Sequence, residues 1–155
     1  AKGLVADLVA ANLREHRAFA VDCCGDLRIG GAAGQERTVR VDDPFGGEPV
    51  QELALREGAV ATSGIGRRCW IGADGRVAHH ILDPASGEPA FTGVVQATAM
   101  APTALLAEVY AKTALLAGPD RAASRLPHGG VIVRDDGGVE VFAAERPLQL
   151  LGVPA

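Results

Sequence analysis

ALLAEVYAKTALLA, residues 104–117, contains only two charged side chains, Glu108 and Lys112. Pro102-Thr103 precedes this stretch and Gly118-Pro119 follows it, which is typical of the beginning and the end of a helix. A helix that is apolar almost all round is usually buried. Buried charges are paired or serve a ligand, so Glu108 and Lys112 form either a simple i,i+4 ion pair or a polar patch that faces an anionic ligand or a cation.

Helical spacing of apolar residues recurs at the start of the chain. Leu4, Val5, Leu8, Val9 and Leu13 predict one amphipathic helix. In the 104–117 helix, a helical wheel places three apolar side chains on one stripe, those of Leu105, Val109 and Leu116. Leu115 lies beyond Glu108 and Lys112 on the other side of the wheel, so apolar residues flank the charged pair.

Short strands and turns fill the rest of the chain. Asp74-Gly75 and Asp135-Asp136-Gly137-Gly138 are hairpin turn sequences. The strand candidates are residues 19–21, 27–29, 38–41, 50–55, 60–61, 69–71, 77–82, 131–133 and 139–142. Two hairpins together with two helices predict an α+β fold.

The composition limits the classes of protein to consider. The length of 155 residues and a hydrophobic content of 48% suit one core, so a single domain is expected. The net charge of -4 argues against nucleic acid as a partner, because nucleic-acid binding needs a basic surface. No apolar run approaches the roughly 20 residues that span a bilayer. The three cysteines have no metal-ligand spacing and are expected to be small buried thiols.

The first residues, AKGLVADLVAANL, already have the pattern of a helix, with no capping residue before them. We therefore expect the natural protein to begin upstream of Ala1. Membrane association is expected only if that upstream region carries a lipoprotein signal, and the sequence does not identify a compartment.

Two further groups of residues have side chains that suit proton transfer or phosphate binding. His80 and Asp83 place an imidazole and a carboxylate close together at the end of a strand, which suits proton transfer but equally suits a hydrogen-bonded histidine before a turn. The hydroxyls of Thr62-Ser63-Gly64, with the guanidinium groups of Arg67 and Arg68, suit a phosphate, or simply the polar end of a strand. The spacing leaves both alternatives open in each case.

In their order along the chain, these motifs resemble the ApbE-like FAD:protein FMN transferase family, from Ala1 to about Phe142. The motifs are Ala1-Lys2-Gly3 with Asp7, Cys24-Gly25-Asp26, Ala61-Thr62-Ser63-Gly64, His80-Ile81-Leu82-Asp83-Pro84 with Ser86-Gly87, and Ala101-Pro102-Thr103 before the Glu108 helix. The resemblance implies a mostly antiparallel β-sheet packed with α-helices. It also implies that residues 1–155 are the carboxy-terminal portion of a flavin transferase domain whose amino-terminal part is missing.

The resemblance further implies an activity, in which FMN moves from FAD to a threonine hydroxyl of an acceptor protein, with Mg²⁺ assisting and AMP released. The roles it implies are catalysis by His80 and Asp83, cofactor binding by Lys2, Asp7, Cys24, Gly25, Asp26, Thr62, Ser63, Gly64 and Lys112, and metal binding by Glu108 and the Ala1 carbonyl. The expected partners are FAD and the threonine-bearing acceptor. A flavin-binding module without catalysis, or an FAD hydrolase that yields FMN and AMP, are the alternatives.

Two residues of these motifs differ from the family pattern. Lys112 occupies the position where the family often has a threonine that ligates the metal, and a lysine side chain repels Mg²⁺. Cys24 replaces the first glycine of a Gly-Gly-Asp loop, so a thiol side chain is expected where the flavin or adenine needs a close approach to the backbone.

Overall fold

The computed structural model describes residues 1–148; the predicted domain of residues 1–155 thus extends beyond the described part. In chain order, the described residues form α1 (Lys2–Ala11), β1 (Phe19–Asp22), β2 (Asp26–Gly30), β3 (Arg37–Val41), β4 (Gln51–Leu55), β5 (Gly58–Gly64), β6 (Cys69–Ile71), β7 (Val77–His79), β8 (Val94–Ala101), α2 (Ala104–Ala117), α3 (Pro119–Ala122), β9 (Gly130–Arg134) and β10 (Val139–Phe142).

Antiparallel pairing joins the strands of this part of the chain. One six-stranded sheet has the order β1-β2-β5-β8-β9-β10, and β3-β4 and β6-β7 form separate two-stranded sheets. Every neighbouring pair is antiparallel. The prediction of an α+β fold with a mostly antiparallel sheet is confirmed.

The two predicted hairpin turns are present, between β6 and β7 and between β9 and β10. Gly75 and Gly137 adopt φ values of 78° and 84°, a left-handed conformation that side chains rarely adopt. In the second turn the Asp136 carboxylate accepts a hydrogen bond from the Gly138 amide at 2.8 Å. Local turn chemistry therefore sets both hairpins.

Side chains alternate between the two faces of the six-stranded sheet, and each face has its own core. On β5, Ala59 and Ala61 pack with the helices, whereas Val60 packs on the other face with the β3-β4 hairpin. On β9, Ile132 likewise packs with the helices, and Val131 packs on the face of the β3-β4 hairpin. The sheet is thus the middle of three layers, between the helices and the β3-β4 hairpin.

Alanines, rather than leucines, form most of the buried face of α2. The buried residues of this helix are Ala104, Ala107, Ala111, Ala114 and Leu115. Leu105 and Val109 of the stripe on the helical wheel are 40% and 45% exposed. The expectation that this helix is buried therefore holds for one face only, where small side chains let it lie close to β5 and β8.

The first helix, α1, is present where the sequence predicts it, but its large apolar side chains do not form its buried face. Gly3, Ala6 and Ala10 are buried, whereas Leu4 and Leu8 are 47% and 60% exposed. A Cβ atom on Gly3 would lie 2.4 Å from the Ala104 carbonyl oxygen, so only glycine fits there. The close approach of α1 to α2 thus turns the leucines outward.

The cysteines also differ from the expectation. Cys24 and Cys69 are exposed, and Cys23 is half-buried. All three are free thiols. The expectation of buried thiols is wrong for the two exposed cysteines, which lie in the β1-β2 turn and at the start of the short β6-β7 hairpin.

Each of the two helices supplies a carboxylate to the amino-terminal end of the other. Asp7 of α1 accepts hydrogen bonds from the amides of Ala104 and Leu105, both at 2.9 Å. Glu108 of α2 accepts from the Gly3 amide at 3.1 Å. These carboxylates satisfy amides that have no partner within their own helix, and they complement the positive ends of the helix dipoles.

Arg28 connects this pair of helices to the sheet. Its guanidinium group lies 3.5 Å from Asp7, and its side chain is 9% exposed. It also donates hydrogen bonds to the carbonyls of Ile29 and Gly58. Burial lowers the pKa of Arg28, and the charge of Asp7 partly offsets that effect. Asp7 therefore stabilises both the start of α2 and a buried cation.

Replacing Asp7 by alanine is expected to lower the free energy of unfolding by about 2–4 kcal/mol. The substitution leaves two helix amides without their acceptor and a buried guanidinium without its closest carboxylate. Urea denaturation followed by circular dichroism measures the effect. The matched control is Glu48→Ala at an exposed position, expected to change the free energy by less than about 0.5 kcal/mol. Equal effects of the two substitutions would contradict the role of Asp7.

Candidate functional site

A cleft of about 980 Å³ opens where the amino-terminal end of α1 and one face of α2 meet the sheet. Its walls are the start of α1, the β1-β2 turn, the end of β5, the residues after β7 and one face of α2. The predicted site residues that line it are Ala1, Lys2, Cys24, Gly25, Asp26, Thr62, Ser63, Gly64, His80, Glu108 and Lys112. Segments far apart in the sequence therefore meet at one place.

Two predicted site residues do not line this cleft. Asp7 is turned toward the start of α2 and toward Arg28. Asp83 accepts a hydrogen bond from the Ala85 amide at 2.8 Å, and its carbonyl accepts one from the Gly87 amide at 2.8 Å. Asp83 thus shapes the turn after His80, and Asp7 acts through the helix that carries Glu108.

The β1-β2 turn presents backbone to the cleft. Cys24 has a φ of 56°, an uncommon conformation for a residue with a side chain, and Gly25 has a φ of 95°. The Gly25 amide donates to the Asp22 carboxylate at 2.9 Å, and Lys2 donates to the Cys24 carbonyl at 3.0 Å. Lys2 therefore holds this turn against the start of α1.

Hydroxyl groups line the cleft at the end of β5. The hydroxyls of Thr62 and Thr98 lie 2.8 Å apart across the β5-β8 pair. Ser63 and Gly64 follow in the same strand, and Arg67 and Arg68 line the cleft just beyond it. Hydroxyl, guanidinium and ammonium groups that converge on one cleft suit an anionic, phosphate-bearing ligand.

The two carboxyl groups at the α2 side of the cleft differ in proton affinity. Burial and then the charge of Glu108 raise the pKa of Asp26 above its ordinary value, and the cations of Lys2 and Lys112 offset part of this rise. Burial acts to raise the pKa of Glu108 as well, but the hydrogen bond from the Gly3 amide and the charge of Lys112 act in the opposite direction, and the pKa of Glu108 lies below its ordinary value. As the pH falls, Asp26 therefore takes up a proton before Glu108 does, and Glu108 stays ionised.

Lys112 lies one helical turn after Glu108, with its ammonium nitrogen 3.5 Å from a carboxylate oxygen of Glu108. The sequence contains only two lysines, Lys2 and Lys112, and both line the cleft. The Lys112 side chain is 49% exposed, and that of Glu108 is 19% exposed. The ion pair thus exists, and it lies at the cleft rather than on an open surface.

His80 is exposed at the cleft, and its neighbour His79 is buried. The Nδ1 atom of His79 accepts a hydrogen bond from the Ile81 amide at 3.3 Å, and its ring packs edge-on against Phe91 with 4.7 Å between centroids. Burial, and then the nearby His80, lower the pKa of His79. The neutral ring of His79 therefore anchors the segment that presents His80.

The sequence interpretation missed several cleft residues from the β3-β4 hairpin and from β8. Arg40 and Asp42 line the cleft, and Gln96 donates to the Asp42 carbonyl at 2.8 Å. Thr98 also lines it, beside Thr62. Sheet register and the packing of the hairpin bring these side chains to the site, and no local sequence signal reveals either.

The fold and the cleft define an α+β domain whose cleft is lined by hydroxyl groups and by both basic and acidic side chains, and its ammonium, guanidinium and hydroxyl groups suit a phosphate-bearing ligand. A sequence model of the ApbE family matches residues 1–132. This chain therefore belongs to the ApbE family, and the resemblance found in its motifs is confirmed.

Individual relatives agree with this assignment. A protein of Treponema pallidum (strain Nichols) named FAD:protein FMN transferase is 31% identical over 140 residues, covering 81% of this chain and 38% of that protein. The crystal structure of an ApbE protein from Thermotoga maritima superposes with a TM-score of 0.70 at 34% identity, covering 81% of this chain and 42% of that one. Apo flavinyl transferase ApbE of Pseudomonas stutzeri shares the fold, with a TM-score of 0.73 at 23% identity, covering 99% of this chain and 51% of that one.

The chain spans about half the length of these relatives or less. Within residues 1–148 no helix is long and apolar enough to cross a membrane. The same residues contain no cluster of three or more histidine, cysteine, aspartate or glutamate side chains with the geometry of a metal site.

The lowered pKa of His79 predicts a loss of stability in mild acid. Because the folded-state pKa lies below the ordinary value of 6.5, the unfolded chain binds the proton more tightly. The free energy of unfolding should therefore fall as the pH drops below about 6.5 toward the folded-state pKa. His79→Leu should flatten this slope, whereas His16→Gln, at an exposed position, should leave it unchanged. Urea denaturation at several pH values measures both, and an unchanged slope in His79→Leu contradicts the prediction.

Proposed function

We propose that this chain carries the phosphate-binding and proton-transfer part of an FAD:protein FMN transferase, which moves FMN from FAD to a threonine hydroxyl of an acceptor protein and releases AMP. The observation that carries the proposal is the cleft, where Lys2, Lys112, Thr62 and His80 meet in a member of the ApbE family. The name of the Treponema pallidum relative supports the transfer of FMN from FAD to a protein.

In the proposed reaction, the threonine oxygen of the acceptor attacks the phosphorus of the FMN half of FAD. A new oxygen–phosphorus bond forms, the pyrophosphate bond breaks, and AMP leaves with the bridging oxygen. His80 takes the proton of the threonine hydroxyl, which is the role of a general base. Its support is its exposure at the cleft and its fixed neighbour His79.

Positive charge in the cleft would bind the pyrophosphate and stabilise the charge that develops during transfer. Lys2 and Lys112 are the ammonium groups available for this role. We assign FAD contacts to the Cys24-Gly25-Asp26 turn and to Thr62-Ser63-Gly64, which line the same cleft. Asp7 and Asp83 have positioning roles in this proposal, through the start of α2 and the turn after His80.

The resemblance also implies Mg²⁺ at Glu108 and the Ala1 carbonyl, where it would neutralise phosphate charge. The residues present do not fit a divalent cation well. Glu108 already accepts a hydrogen bond from Gly3, and Lys112 lies 3.5 Å from it. The proposed transfer therefore has no step through a metal ion.

One observation favours a second candidate, a module that binds FAD without transferring FMN. The Lys112–Glu108 ion pair at 3.5 Å supplies a cation that binds phosphate but does not activate it as a metal ion does. FAD hydrolysis, with water in place of the threonine, is the remaining alternative. The three functions differ in products, so one assay separates them.

The assay uses the protein at its natural length with FAD and candidate threonine-bearing acceptors. Transfer gives covalent flavin fluorescence on the acceptor in a denaturing gel together with AMP, hydrolysis gives AMP without an acceptor, and binding alone gives neither. We expect transfer, and its absence with every acceptor would contradict the proposal.

Replacing His80 by alanine should lower the transfer rate at least about 100-fold, because the threonine proton loses its acceptor. FAD affinity should change little, since the cationic groups of the cleft remain. The matched control is His16→Ala at an exposed position outside the cleft, and it should transfer FMN at the normal rate. A His80→Ala variant with an unaltered rate would exclude His80 as the base.

A further inference from the structure

We propose that the ammonium group of Lys112 replaces a divalent cation in this cleft, so that the protein binds the phosphates of its dinucleotide without a metal ion. This inference rests on the proposed function because it takes FAD as the ligand. It departs from the magnesium site that the family resemblance implies.

The Glu108 carboxylate already has a partner on each of its oxygens. One oxygen accepts a hydrogen bond from the Gly3 amide at 3.1 Å. The other oxygen lies 3.5 Å from the ammonium nitrogen of Lys112. A magnesium ion needs direct oxygen contacts of about 2.0–2.1 Å. A magnesium ion on this carboxylate would therefore displace Lys112 from one oxygen or compete with the Gly3 amide for the other.

Glu108 is not part of a cluster of acidic, histidine or cysteine side chains that could hold a metal ion within the described residues. No cluster of three or more candidate side chains occurs within residues 1–148. The Ala1 carbonyl already accepts a hydrogen bond from the Val5 amide at 3.2 Å. Asp26 is the other carboxyl group at this side of the cleft, and it is only 5% exposed.

Lys112 itself lies where its ammonium group can contact a ligand in the cleft. The i,i+4 spacing puts its ammonium on the same face of α2 as Glu108, at the cleft. An ammonium group has three hydrogen-bond donors, so contact with Glu108 leaves others for phosphate oxygens. Because the Lys112 side chain is 49% exposed, it can reach a ligand in the cleft. A divalent cation at Glu108 would be repelled by this neighbour.

Metal binding is tested first, without any flavin. Electron paramagnetic resonance counts Mn²⁺ bound to the full-length wild-type protein and to Lys112→Thr and Glu108→Gln variants. We expect no bound Mn²⁺ in the wild type, and a gain of one site in Lys112→Thr supports the proposal further. One Mn²⁺ bound to the wild type and lost in Glu108→Gln would overturn it.

Flavin binding is tested next, by fluorescence polarisation of FAD in EDTA and in excess Mg²⁺. The wild-type dissociation constant should be the same in both. Lys112→Met should weaken binding about 10-fold or more in both, since the loss of one charge-assisted contact to phosphate corresponds to about one factor of ten. Lys112→Arg should retain most of the affinity, and Arg121→Thr, an exposed residue outside the cleft, should bind normally.

The outcomes separate this proposal from the proposed function. FAD affinity in the wild type that rises 10-fold or more with Mg²⁺, or Lys112→Met binding as tightly as wild type, would overturn the role of Lys112. FAD that binds without metal but is never transferred would contradict transfer alone. If FAD does not bind at all, the role of Lys112 fails together with the proposed function, and the Mn²⁺ count still decides whether Glu108 holds a metal.

Discussion

The exchange of carboxylates between α1 and α2 is the interaction on which the cleft depends. Asp7 accepts from the first amides of α2, and Glu108 accepts from the Gly3 amide at the start of α1. The two contacts are possible because Gly3 lies directly against the Ala104 carbonyl, where no side chain fits. Since Arg28 of β2 also contacts Asp7, the helix pair has a fixed position on the sheet. Lys2 and Lys112 reach the cleft for this reason.

Helix ends and hairpin turns, which depend on residues adjacent in the sequence, were predictable. The end of α2 at Gly118 and the hairpin turns at Gly75 and Gly137 follow from local backbone chemistry, and the structure has all three. The antiparallel α+β fold followed from these elements and from the family resemblance. What the pattern of apolar residues did not reveal is which face of each helix is buried. The alanines of α2 and Gly3 of α1 allow the two helices and the sheet to approach closely. The dispersion contacts of this close packing stabilise the fold more than burial of the larger leucine side chains would, and the leucines stay exposed.

The candidate site was predictable to a similar degree. The motifs identified eleven residues that line the cleft, such as Lys2, Thr62 and His80. Asp7 was placed among the cofactor contacts because it lies in a family motif, yet its side chain is directed to α2, a partner about a hundred positions away. Thr98 and Gln96 were not found, because their proximity depends on the register of β8 against β5. Long-range hydrogen bonds of this kind have no signature within a short stretch of sequence.

Glu108 has two roles in this structure, and they constrain each other. As the acceptor for the start of α1, it must remain ionised and must keep its contact with Gly3. A metal ion at the same carboxylate would compete for those oxygens, whereas an ammonium group at 3.5 Å stabilises the ionised form and leaves the helix contact intact. Lys112 therefore adds positive charge to the cleft without removing the carboxylate from α1. Within one turn of α2, Glu108 thus connects the two helices and Lys112 supplies the positive charge that a phosphate ligand requires.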